Sequence, residues 1–109
     1  MNSQRLKILL EFQKKEPNDP FLMYAIGMEY LKKMPAKAKA YFEKLLDKHP
    51  DYLPTYYQVA QLSISSDDFK RALDLLEQGM IIAKQQNDLA THKELKDLYA
   101  YVEEEFENL

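Results

Sequence analysis

The chain has no cysteine and no tryptophan, and only two glycines and five prolines among its 109 residues. Without cysteine there is no disulfide framework, no thiolate metal ligand and no thiol nucleophile. With so few helix breakers, and with runs rich in Ala, Leu, Glu, Lys and Gln, little material is left for a sheet. Excess positive charge is also lacking: 15 Lys and Arg stand against 18 Asp and Glu, a net charge of −3. That balance argues against a general affinity for nucleic acid or for an anionic membrane surface, both of which call for clustered basic residues. No uncharged run is long enough to span a bilayer, and Arg5 and Lys7 have no long apolar stretch behind them of the kind a signal peptide needs. What is present is 46% hydrophobic and 30% charged residues. That is enough for one self-sufficient domain of ordinary size. These features predict an all-α cytoplasmic protein with a single domain over 1–109.

The clearest pattern lies between Pro20 and Pro50. Met23, Ile26, Gly27 and Tyr30 follow one another at spacings of three, one and three, which places them on one face of a helix. A turn at Met34-Pro35 follows. Ala38 and Phe42 then sit four apart on a second helix, which ends at His49-Pro50 because proline disfavours helical conformation in the residue before it. The pattern M-x2-I-G-x2-Y, then A-x3-F, then P resembles the tetratricopeptide repeat, with Met23 where that family prefers Trp and Ile26 where it prefers Leu. A second unit begins at Leu53-Pro54 and reads Tyr56-x2-Val59-Ala60-x2-Ser63, then Ala72-x3-Leu76, closing at Lys84 where the family has Pro. Met23 to Tyr56, Gly27 to Ala60 and Tyr30 to Ser63 are each 33 apart, whereas Ala38 to Ala72 and Phe42 to Leu76 are each 34 apart. Two constant registers, differing by one residue in the inner turn, are better evidence than either motif alone.

The resemblance spans residues 17–84 and implies a small tetratricopeptide protein of bacterial type. About six helices are expected, as antiparallel pairs stacked in a short right-handed solenoid. The chain divides accordingly into a leading half-repeat helix (1–16), a first repeat (17–50), a second repeat (51–86) and a C-terminal capping helix (87–109). In the leading helix, which Asn2 and Ser3 can cap, Leu9 stands where the family has Phe and Arg5 replaces its small residue. Asp19 is placed as the N-cap of the next helix, with Pro20 at its first position, where the missing N–H costs nothing. Gly27, Ala38, Ala60, Ala72 and Gly79 are expected where helices touch, because a larger side chain would hold them apart. Asp67-Asp68 opens the helix that follows the second inner turn, and Asn87-Asp88 marks the last break. The final helix carries one apolar stripe, Leu95, Leu98, Tyr99, Val102 and Phe106, amid charged residues, as suits a solubilising cap. Glu103 to Glu105 oppose the negative end of its dipole, so fraying is expected beyond about Val102.

The helix from Pro20 carries a second apolar stripe, Phe21, Tyr24, Met28 and Leu31, where one stripe suffices for docking. The matching positions of the next unit include Tyr57, Gln61 and Ile64. By resemblance this face lines a concave groove that receives a peptide or a helix of another protein, here through a surface with little charge. Intramolecular packing is the competing role for the same residues. Some members of the family grip a partner's C-terminal carboxylates with Lys and Asn on this face; Tyr24, Met28 and Gln58 at those places argue against such a clamp. The resulting expectation is an adaptor for a partner protein or peptide, the alternative being a homodimer through the same apolar face. Neither nucleic acid nor membrane is expected as a partner. Six lysines between residues 32 and 48 face only Glu43 and Asp47, while Glu94 to Leu109 is acidic by five charges. This polarity reads as a solvated outer face, or as steering of an acidic partner or of like molecules head to tail. An enzyme is not expected, nor a cofactor or metal. His49 and His92 lack partners at ligand spacing, the run 103–105 spreads its carboxylates around the helix, and no Gly-rich loop could cradle a phosphate.

Overall fold

The computed structural model describes residues 3–109 and contains six α-helices: α1 (Ser3–Lys15), α2 (Pro20–Leu31), α3 (Pro35–Lys48), α4 (Pro54–Ser65), α5 (Phe69–Gln85) and α6 (Leu89–Glu107). Among the described residues there is no strand. The expected cap Asn2 lies outside them. Three of the helices, α2, α3 and α4, begin on proline, whose fixed φ suits the first turn. Asp19 caps α2 by accepting a 2.9 Å hydrogen bond from the Phe21 N–H. Asp68 and Asp88 do the same for α5 and α6, from Arg71 and Thr91.

The helices fall into two compact units, residues 1–52 and 53–109. In the first, α2 packs on α1 and on α3. The predicted docking stripe is buried: Met23, Ile26, Gly27 and Tyr30 all face inward, against Ala38, Phe42 and Leu45. Gly27 is needed there. A Cβ at this position would lie 2.6 Å from Cε1 of Phe42, a ring that is itself fully buried. The side chain nearest to Gly27 is therefore Phe42, one turn along α3 from Ala38. Around it run further ring contacts, Tyr24 with Phe42 at 5.8 Å and Tyr30 with Tyr41 at 5.7 Å between centroids. Lys37 lies over the Tyr30 ring at 5.4 Å, an arrangement that the ring quadrupole favours.

In the second unit, α5 packs on α4 and on α6. Its core joins Leu53, Ala60, Ala72, Leu76, Ala83, Leu95 and Val102. Gly79 permits the close approach, since a Cβ there would meet Leu95 Cδ1 at 2.9 Å and Tyr56 Cβ at 3.0 Å. Both turns of this unit use one device. Asp67 and Asn87 adopt left-handed φ values of 59° and 57°. The next residue's N–H then reaches back to the helix just ended, Asp68 to Ser63 and Asp88 to Ala83, each at 2.8 Å. This is a Schellman ending built without glycine, with the following Asp free to cap the next helix.

The end of α6 departs from expectation. The helix continues to Glu107, five residues past Val102, despite the glutamates at its negative pole. The Phe106 ring, 6.4 Å from that of Phe69 on α5, ties down the last turn.

Candidate partner-binding cleft

α2 holds one charged residue, Glu29, in an otherwise uncharged stretch, PFLMYAIGMEYL. With Met23, Ile26 and Tyr30 docked, the second apolar stripe is left at or near the surface. Phe21 is 63% exposed, and Tyr24, Met28 and Leu31 are half-buried. Phe21, Tyr24 and Met28 come together as walls of a cleft of about 390 Å³, whose other lining residues are Arg5 from α1 and Ala25, Glu29 and Lys32 from the α2 side. Leu31 is not part of the lining. Tyr24 has a second task, since its ring also packs on Tyr52 at 5.7 Å as well as on Phe42. The Tyr52 hydroxyl ionises less readily than usual, chiefly because it is desolvated and next because Tyr24 and Asp19 lie nearby.

The α2 stripe predicts a surface with little charge, whereas the cleft also holds Arg5, Glu29 and Lys32. The Glu29 side chain is only 5% exposed and takes two cations at once, Arg5 Nε at 2.7 Å and Lys32 Nζ at 3.1 Å. A buried carboxylate requires such partners, because losing water without gaining them costs several kcal/mol. The sequence signal was an acid inside an apolar helix, together with Arg5 at a position where the family has a small residue. The group carries one net positive charge beside an aromatic and thioether wall. Replacing both cations, Arg5→Ala with Lys32→Ala, leaves Glu29 buried alone. Because both cations are more than half exposed, water softens the loss, and the expected destabilisation is about 1–2 kcal/mol. Urea denaturation checks this, and an unchanged midpoint would show that Glu29 is adequately solvated without them.

In the second unit, Tyr57 and Gln61 are joined, the amide Nε2 donating to the phenol oxygen at 2.9 Å across one helical turn. Tyr57 and Ile64 both pack against the unit's core cluster while remaining partly accessible. They form a firm, half-buried face. A further hollow of about 430 Å³ lies between α1 and α3, lined by Gln13, Lys14, Pro17, Ala40, Tyr41 and Lys44. Tyr41 donates to Gln13 Oε1 at 3.2 Å across it, and burial pushes the Tyr41 hydroxyl above the usual tyrosine range. Among the described residues no three His, Asp or Glu side chains gather in a metal-binding group. No helix there is long and apolar enough to cross a membrane.

A search of the curated proteins finds no match. The family model described as tetratricopeptide repeat matches residues 30–96. Among solved structures, the chain is similar to a tetratricopeptide repeat domain protein from Salinibacter ruber. The solution NMR structure aligns with a TM-score of 0.75 and 35% identity, covering 80% of this chain and 89% of that one. A crystal structure of a tetratricopeptide repeat domain protein from the same organism gives 0.75 and 35%, covering 78% and 96%. With six helices, each packed on its neighbours in the chain within a unit, and with the M-x2-I-G-x2-Y and A-x3-F positions buried as that repeat requires, the chain belongs to the tetratricopeptide repeat family.

Proposed function

We propose that the chain is an adaptor that holds a peptide or helix of another protein on the α2 cleft of the first unit; Tyr57, Gln61 and Ile64 occupy the equivalent places in the repeat of the second unit. Tetratricopeptide repeats are generally modules for protein–protein interaction and generally lack catalysis of their own. One observation carries the reading: Phe21 is exposed at the mouth of the cleft, beside Tyr24 and Met28, although α2 is already docked through its other stripe. Leaving a phenyl ring in water forgoes about 2 kcal/mol of burial, which a partner can recover. Aromatic anchors in partly enclosed pockets are where binding energy concentrates. Arg5 and Lys32 at the rim favour a segment that presents an acidic group next to an apolar one.

Substitution at Phe21 and Met28 should separate binding from folding more sharply than a change at Tyr24, since Tyr24 packs on Phe42 and Tyr52. Phe21→Ser with Met28→Ser is expected to weaken a partner captured from native lysate at least tenfold, or about 1.4 kcal/mol, while the melting temperature moves by only a few degrees. Tyr24→Ser with Tyr57→Ser should weaken binding too, but with a clear loss of stability. Capture at full strength by the Phe21/Met28 variant, measured by titration calorimetry with the purified partner, would rule out this cleft.

A further inference from the structure

Among the described residues α1 packs chiefly on α2, and α6 on α5, so each keeps one long face toward solvent. On α1 that face shows Ile8 and Phe12, each at least half exposed, which with Glu11 and Lys15 line a hollow of about 200 Å³ with room for one aromatic side chain. On α6 it shows Tyr101, exposed, with Asp97 one turn before it and Glu104 and Glu105 one turn after. The charges are opposite. α1 carries Arg5, Lys7, Lys14 and Lys15 against Glu11, an excess of three positive charges. α6 carries six carboxylates against Lys93 and Lys96, an excess of four negative.

We propose that the chain associates head to tail with a second copy of itself, Tyr101 on α6 of one molecule entering the Ile8–Phe12 hollow on α1 of the next. Charge decides between this and a symmetric pair. Two α1 helices brought together set net positive charge against net positive, and two α6 helices set negative against negative, whereas α6 on α1 sets opposite signs against each other. The apolar contact supplies burial and the charges supply orientation. Such a contact leaves a free α1 face and a free α6 face at the two ends of every assembly. It therefore propagates unless it closes into a ring. The surface is small, so association is expected to be weak and concentration-dependent, and salt should weaken it further, since exposed charges are screened beyond about 8 Å at physiological ionic strength.

Sedimentation equilibrium of the full chain tests this. At low salt the weight-average mass should rise with concentration past twice the 12.9 kDa of one chain, and return to 12.9 kDa in about 0.5 M salt. Phe12→Asp and Tyr101→Asp replace exposed side chains, so circular dichroism should show both variants folded, and each alone should stay monomeric. Mixed in equal amounts they should form a one-to-one dimer that grows no further, because one variant keeps a sound α6 face and the other a sound α1 face. Should Phe12→Asp fail to fold, Ile8→Ser takes its place, and the salt response of the unaltered chain stands regardless. A mass fixed at 12.9 kDa at every concentration would overturn the proposal. So would a mixture that remains monomeric, or self-association that Phe21→Ser with Met28→Ser removes and the end-helix variants do not.

Discussion

Gly27→Val is expected to destabilise the chain by about 3 kcal/mol, the upper part of the range for overpacking a filled core. The first carbon of any side chain at this position already falls within 2.6 Å of the Phe42 ring, and valine adds two more. Phe42 has nowhere to go, being fully buried and flanked by Tyr24. α2 and α3 must separate, and that separation also loosens Met23, Ile26 and Leu45. The urea midpoint should fall with little change in slope, and the melting temperature should drop by roughly 12–24 °C. Gly27→Ala poses a finer comparison, since a helical alanine gains about 1 kcal/mol over glycine and meets the same ring with a single carbon. A valine variant as stable as the parent would mean that α2 and α3 do not cross at Gly27.

Ending the chain at Gln86 is expected to do more. It removes α6 and with it Leu95 and Val102, which lie in the same buried cluster as Ala72, Leu76 and Ala83, and it uncovers Gly79. The apolar contacts of Leu95, Val102 and the partly buried Leu98 and Tyr99 are together worth about 6 kcal/mol at ordinary burial energies. That is comparable to the whole stability of a small domain. The fragment should lose cooperative melting in its second unit, bind a hydrophobic dye and aggregate on concentration. A soluble fragment 1–86 that melts as sharply as the full chain would show that α6 is an appendage and not part of the core.

Much of this architecture can be read from spacing alone. The two registers 33 and 34 residues apart place α2, α3, α4 and α5, and proline with Asp19 marks where helices start. The small residues fall at helix contacts as expected, with Gly27, Ala38, Ala60, Ala72 and Gly79 all buried. Periodicity gives the face of a helix that is inward but not the height at which a neighbour crosses it, so the contact of Gly27 with Phe42 is visible only in the structure. For the same reason the bond between Arg5 and Glu29 was out of reach, because it joins two helices whose relative rotation no local pattern encodes. The cleft is thus more charged than its α2 stripe implies. Dipole reasoning about the end of α6 was sound for an isolated helix, and a tertiary contact between Phe106 and Phe69 outweighs it. Asp67-Asp68 as a helix start and Asn87-Asp88 as a break are legible in the sequence, but the left-handed residue in each turn is not, since Asp and Asn adopt that conformation only occasionally.

Within each unit every substantial helix contact joins elements adjacent along the chain, and this bears on how the protein acquires its structure. Loops that must close before a contact forms are only a few residues long, so the entropic toll on the folding transition state is small. Chains of such low contact order fold in microseconds to milliseconds. The first unit, with its own core around Phe42, can assemble while later residues are still being synthesised at about 5–20 per second. Its apolar residues then spend little time exposed to other nascent chains, and the second unit completes its core only when α6 arrives to supply Leu95 and Val102.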